Sequence, residues 1–332
     1  MDSINIKGDE IMGSTKRAQY KVFNGTDFDI MNFESDADNH SLYRQAIING
    51  NFDVWQRSTS GSINGSAYTA DRWVVQTSGN VSNNYSRQSF TIGQTVVPNN
   101  PMYFLRVGQT AASNQTFNSI GQKIEDVTKF SGKTISVSFW AKSDTTRTLS
   151  AYTKQSCGYG GSAEAFTANQ SFTVTTAWQQ FTFVFTLASI VGKTIGINDF
   201  TSIEISLPLN TSFTFDLAQV QLNVGATVLP FASKSYAQEL QDCLRYYEKG
   251  YTRLSYPGTT TYWFPIFYKQ KKRISNPTTG AINGTINITG TTVGVTTSAY
   301  NEDGLTISNN STPGNAGTWY YADIYWYADA EI

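Results

Sequence analysis

Phe181-Thr182-Phe183-Val184-Phe185-Thr186-Leu187 is the stretch that decides the fold. Phe181, Phe183, Phe185 and Leu187 share one parity, and Thr182, Val184 and Thr186 the other. A period of two means a strand with one face on a core. Working outward, similar runs recur between turn signals: AIING (46–50), DRWVVQT (71–77), YFLRVGQ (103–109), KTISVSFWAK (133–142), LSAYTKQ (149–155) and IEISLPL (203–209). In FTFDLAQVQL (213–222) the phase slips, because Val220 and Leu222 continue in the parity opposite to Phe213, Phe215 and Leu217. A bulge near Ala218-Gln219 would return them to the core. Roughly eight to ten strands without intervening helices make residues 41–232 an antiparallel jelly-roll sandwich in an all-β chain.

On either side the pattern changes. In residues 1–40, eight acids face four bases, and AQYKVF and TDFDIMNF flank Asn24-Gly25, a hairpin signal. An isolated hairpin is marginal in water, so this arm is expected to pack on a partner. Beyond the sandwich, Ser235 with Gln238 makes a capping box. Leu240, Leu244 and Tyr247 recur at helical spacing before Gly250, which predicts a connecting helix over 236–249 within a segment 233–250. Residues 251–332 return to β patterns (WFPIFY, TINITG, TVGVTT, LTIS, TWYYADIYWYA), a small C-terminal β module whose thin core invites oligomeric support.

Composition bounds the chemistry. The 332 residues are 39% hydrophobic and 15% charged, with a formal net charge of −1. Charge that sparse and balanced gives no field for nucleic acid or an anionic membrane. The start, MDSINIKGDE, has no secretory pattern, and no apolar run approaches the ~20 residues of a membrane helix. The chain is therefore expected to be made in a cytoplasm and not inserted in a membrane. Cys157 and Cys243 lack a CxxC partner and read as unrelated free thiols. The one histidine, His40, lies outside every strand-like run, so the usual near-neutral base is missing from the core domain.

Few motifs suggest chemistry. Gly132-Lys133-Thr134 and Gly192-Lys193-Thr194 lack the earlier glycine of a phosphate loop and read as turns opening strands. Glu125, Asp126, Glu164 and Glu204 could supply the two carboxylates of a glycosidase, but read as ordinary surface acids. FDVWQR (52–57) and YTADRW (68–73) each join an acid, an arginine and a tryptophan. They read as a structural corner, with Trp55 and Trp73 in the core and Arg–carboxylate pairs tying loops, against an alternative in which the indoles stack on sugars. Trp140 and Trp178 also fall in core-like alternation. Tyr152 and Tyr159, beside a glycine-rich loop, are the ligand-binding candidates. Lys269, Lys271, Lys272 and Arg273 read as a solvated loop. No catalytic residue, cofactor site or metal site is assigned.

Several stretches carry a family resemblance: IINGNFDVWQR (47–57), YTADRW (68–73), GQKIEDVTKFSGKTISVSFWAKS (121–143) and the run from FDLAQVQLNV to LRYYEK (215–249). In order they resemble the carbohydrate-binding-like jelly roll of bacteriophage tail and head fibre proteins. FPIFYKQKKRISNPT (264–278) and WYYADIYWYADAEI (319–332) are similar to the small β module that often closes such chains, and YKVFNGTDFDIMNFES (20–35) to N-terminal attachment segments. The resemblance implies a non-enzymatic virion fibre protein, usually a homotrimer. Its arm would bind other virion proteins, and its jelly roll would serve host-surface glycan adhesion or act as a spacer. A purely structural decoration protein and a glycan depolymerase are the alternatives. Related sugar-binding jelly rolls often hold a structural calcium. Asp53 matches one of its acids, but Ala218-Gln219 stands where the second is expected.

Overall fold

The structure, a computed structural model, describes residues 19–23, 28–32, 45–257, 263–274, 277–286, 295–309 and 319–332. His40 lies outside them. The strands are β1 Gln19–Phe23, β2 Phe28–Asn32, β3 Ser60–Ile63, β4 Ser66–Tyr68, β5 Trp73–Thr77, β6 Asn80–Ser89 and β7 Tyr103–Ser113. There follow β8 Asn118–Glu125, β9 Thr134–Ser143, β10 Arg147–Ser156, β11 Ala165–Phe166, β12 Gln170–Val174, β13 Gln179–Thr186, β14 Phe200–Ser206 and β15 Phe213–Val224. Helix α1 spans Tyr236–Leu244. The remaining strands are β16 Tyr247–Pro257, β17 Trp263–Phe267, β18 Thr278–Ile286, β19 Val295–Tyr300, β20 Gly304–Asn309 and β21 Trp319–Asp329.

Two antiparallel sheets face each other. The front sheet runs β11-β10-β14-β8-β5-β4, with β12 also on β10, and the back sheet runs β13-β9-β15-β7-β6-β3. Consecutive strands β7, β8, β9 and β10, and again β13, β14 and β15, cross the core from one sheet to the other, the jelly-roll arrangement. The alternation read in 181–187 holds: Phe183, Phe185 and Leu187 are buried in the core, Phe183 against Phe139 and Phe172 and Phe185 on Phe183, and Phe181 packs at their edge. Each such side chain contributes about 1.5–3 kcal/mol through burial. The slip in β15 is the expected bulge. Its pairing with β9 jumps from Ala218↔Trp140 to Gln221↔Ser138, and Gln219 takes φ +47°. Phe213, Phe215 and Leu217 before it, and Val220 and Leu222 after it, all reach the core.

Other expectations need correction. AIING is not a strand; Ala46 N donates to Leu222 O, and Ile47 plugs the core from a loop. Trp140 and Trp178 are not in the core. Trp140 has the outward parity of β9, and Trp178 packs outside the back sheet on Phe90 and Phe104, with Lys142 over its ring. Gly132 does open a strand, but Gly192-Lys193-Thr194 turns within the β13–β14 loop. Cys157 and Cys243 are buried free thiols.

The helix starts where expected: the Ser235 side chain accepts from Gln238 N. It ends at Leu244 rather than at residue 249, because Tyr247–Pro257 pairs along its whole length with β21. Gly250 is thus a strand residue, placed where any Cβ would collide with the Trp326 indole. Among its described residues the C-terminal module has two three-stranded sheets, β16-β21-β18 and β17-β20-β19, with Leu305, Ile307, Ile324 and Trp326 buried. The basic run at its base is not solvated as a whole. Lys272 is fully buried, donating to Glu248 at 2.6 Å and to Leu244 O at 2.5 Å, where a cation suits the helix C-terminus. The expected hairpin is present, with β1 and β2 paired from Gln19↔Asn32 to Phe23↔Phe28. Among the described residues no helix is long and apolar enough to cross a membrane.

Candidate functional site

The two Asp/Arg/Trp motifs build a corner. Trp73 is 1% exposed against Phe52, its Nε1 donating to Asn49 O at 3.0 Å. Trp55 is half-buried, stacks on Tyr85 and donates to Phe52 O. Buried Asp71 accepts from Gln56 N at 2.9 Å, and burial raises its carboxyl above the ordinary range despite those bonds. The arginines do tie loops through carboxylates, but the partners come from the end of β21. Arg57 binds Asp329 and Glu331, and Arg72 binds Glu331 while its guanidinium lies over the Tyr246 ring. Nothing within the motifs themselves could reveal partners more than 250 residues away.

A more suggestive surface is the outer face of the front sheet. Register assembles it in rows. Ser171, Ser150, Ser206, Ser119, Gln76 and Ser66 align across six strands, all uncharged hydrogen-bonding side chains. The next row is Tyr152, Glu204, Gly121, Val74 and Tyr68, and the next Phe166, Lys154, Ser202 and Lys123. With strands ~4.8 Å apart, the serine row spans roughly 24 Å. At one end β10 runs past the end of β14, leaving an open cleft of about 520 Å³ between Arg147–Ser150, Ser171 and Ser206–Leu209.

Glu204 lies at the centre. It is not a surface acid; it is 4% exposed, and its Oε2 has no hydrogen-bond partner. Room for it comes from the glycine opposite, since a methyl at residue 121 would strike its carboxylate and the Ile203 carbonyl. Burial raises the Glu204 carboxyl, while the Ser202 and Ser119 hydroxyls and the charges of Lys154 and Lys123 pull the other way. Tyr152, partly buried and paired with Glu204, has its phenol pushed up to about 12 by burial and by the Glu204 charge. Its hydroxyl comes within reach of Ser119, two strands away. Phe166, 60% exposed, adjoins it at 6.3 Å between centroids. The face thus offers two aromatic rings beside a line of hydroxyls.

Of the two tyrosine candidates, only Tyr152 belongs to this face. Tyr159 is 87% exposed on the loop beyond β10, its backbone bridged to Ile197. Four residues of strand separate Tyr152 from the loop, about 13 Å, before Tyr159 is reached. Phe166 is a member that sequence reasoning passed over, and Glu204, read there as a surface acid, is a buried one. Phe166 occupies a two-residue strand too short to show a period.

The remaining acids do not converge. Glu164 binds Lys154 at 2.8 Å, Glu125 binds Arg245 at 3.2 Å, and Asp126 caps a 3-10 turn. The calcium implied by resemblance does not fit the donors present. Asp53 accepts from Asn51 Nδ2 at 3.0 Å, Gln219 donates its amide to Pro98 O, and no second acid takes the other position. Among the described residues no group of three or more His, Cys, Asp or Glu could share a metal ion.

No protein-family model and no curated protein matches this chain. Among solved structures it is similar to a family 11 carbohydrate-binding module from Clostridium thermocellum in complex with a β-1,3-1,4-mixed-linked tetrasaccharide, with 12% identity, 49% of this chain and 95% of that one covered, and a TM-score of 0.32. It is similar also to the N-terminal cellulose-binding domain of β-1,4-glucanase C from Cellulomonas fimi, with 20% identity, 43% and 90% covered, and a TM-score of 0.31. A third likeness is to the enzymatically active domain of tailspike protein 4 from bacteriophage CBA120, with 14% identity, 55% and 22% covered, and a TM-score of 0.35. Likenesses of this degree leave the reading of the face to its own residues.

Proposed function

We propose that this chain is a non-enzymatic virion fibre protein that binds glycan on the outer face of its front sheet. One observation carries the binding part: the neighbouring Tyr152 and exposed Phe166 rings beside the row Ser171-Ser150-Ser206-Ser119-Gln76-Ser66. A pyranose presents C–H faces that pack on aromatic rings, and equatorial hydroxyls that both donate and accept, as serine hydroxyls and a glutamine amide do. A shallow cleft with few charges and many small polar groups suits such a ligand. Against hydrolysis stands the absence, among the described residues of this face, of two accessible carboxylates flanking one spot, which a glycosidase needs ~5–9.5 Å apart. Glu204 is buried, and Glu125 and Glu164 hold cations. The fibre part is supported by the family resemblance of the sequence motifs and by β1 and β2, which pair only with each other among the described strands. A homotrimer, anchored through residues 1–40, would multiply weak glycan contacts into useful avidity.

The test is a glycan array probed with the full chain and with Tyr152→Ala and Phe166→Ala. Binding that falls about tenfold or more in each variant, with melting unchanged, supports the reading. An intact chain that binds no glycan overturns it and leaves a decoration role.

A further inference from the structure

One end of the front face is covered by the chain itself. After β21, residues 329–332 pass over β4, β5 and β8. Tyr68 Oη and Lys123 Nζ both donate to the main-chain oxygen of Ile332, at 2.9 and 2.7 Å. Glu331 takes Arg72 and Arg57, while Arg273 donates to Ala330 O at 2.8 Å and Glu331 O at 3.2 Å. Ala330 N donates to Tyr246 O at 2.7 Å. The cover is tight. Val74 and Arg72 belong to the uncored side of the sheet, yet are 2% and 1% exposed.

What lies beneath differs from the rest of the face. The open part, over β14, β10 and β12, is lined by serines and aromatic rings, and its cations Lys154 and Arg147 are matched by Glu164 and Asp144. The covered part holds Arg72 and Lys123 side by side, Arg72 Nη2 donating to Lys123 O at 2.5 Å. The group that neutralises Arg72 is the carboxylate of Glu331, a side chain of the cover itself.

We propose that residues 329–332 form the end wall of the face and set its charge preference. In place, they confine the ligand to an uncharged stretch of glycan over β14, β10 and β12. Released, they uncover a cationic subsite of Arg72 and Lys123 fit for the carboxylate of an acidic sugar. This rests on the glycan-binding reading of the open face.

The experiment compares the full chain with Glu331→Ala, and with the milder Glu331→Gln should the first fail to fold, a thermal melt serving as the folding check. Two readouts are taken. Acetylation of Lys123, scored by mass spectrometry against exposed Lys271, is expected to be slow in the parent and to rise about tenfold in the variant. Binding is measured with a galacto-oligosaccharide and an oligogalacturonate of equal length, the second expected to gain at least about tenfold in the variant. A reactive Lys123 with no gain for the oligogalacturonate overturns the proposal while leaving the open-face reading intact. An unreactive Lys123 in a folded variant overturns it too, because the wall then does not depend on Glu331. Should the parent bind no glycan at all, the open-face reading fails; a variant that nonetheless takes up oligogalacturonate upholds the wall, and one that does not ends both.

Discussion

Replacing Trp73 by alanine tests the corner on which the front sheet is hung. The indole is 1% exposed, packs on Phe52 at 5.1 Å and joins the core with Ile47 and Val75. Truncation of a buried aromatic costs about 3–5 kcal/mol, more where the walls cannot close on the cavity. Here the walls are pinned. Asn49 and Phe52 both hold φ +57°, and the Asn49 amide bonds Val54 O at 2.8 Å and Asp71 O at 3.0 Å. The lost Nε1 bond adds little, since Asn49 O keeps Phe52 N at 3.1 Å. A loss of about 4 kcal/mol follows, at the middle of the range for buried aromatics. With a urea slope of roughly 2–3 kcal/mol/M, the midpoint should fall by about 1.3–2 M, read by circular dichroism. Trp73→Phe keeps most of the volume and should lose only about 1–2 kcal/mol. A midpoint moved by less than about 0.3 M at unchanged slope would refute the assignment of Trp73 to the core.

Three further outcomes are expected. Gly121→Ala forces a methyl against the Glu204 carboxylate and the Ile203 carbonyl, so it should cost about 1–3 kcal/mol in a urea titration and disturb the Tyr152 ring above; an unchanged midpoint would refute the close approach of β8 and β14. Glu204 has its folded pKa raised above the ordinary 4.5 by burial, so the stability it contributes is full below 4.5 and is lost as pH rises through the folded value; Glu204→Gln should remove that decline, and melts of the two proteins that stay parallel from pH 4 upward would count against it. Deleting residues 1–40 should leave the melting of the sandwich nearly unchanged while abolishing incorporation into particles, and a collapse of soluble expression would place the arm in the core instead.

The core was legible because burial writes itself into parity. Phe181 to Leu187 alternate with hydroxyls, and even the bulge at Gln219 announced itself as a slip in the same rhythm. Among the strands that escaped notice, β6 and β8 carry Ser, Asn and Gln on both parities, as in NVSNNYSRQS, which blurs any apolar period, and β3, β4, β11 and β12 are too short for a period to stand out. The candidate face was legible only at Tyr152. Its serines are separated in the chain by up to 140 residues and meet through register, which no local pattern carries. The burial of Glu204 depends on a glycine on the neighbouring strand, 83 residues earlier. The helix end failed for a related reason: Tyr247 satisfies a helical spacing, but pairing with β21 satisfies its backbone better.

The return of β21 to the joint has a mechanical consequence. The chain leaves the sandwich through Tyr246 and Tyr247 and comes back to it at Ala330, whose N–H is bonded to Tyr246 O. Between those points β16 and β21 are zipped from Tyr247↔Asp329 to Pro257↔Trp319. A module hung on one peptide could swivel about it; this one is fastened at two neighbouring points, with the Lys272–Glu248 pair sealed beside them. Torque applied to the module is therefore resisted as shear across a ladder of backbone bonds, and the front face turns with it as one lever.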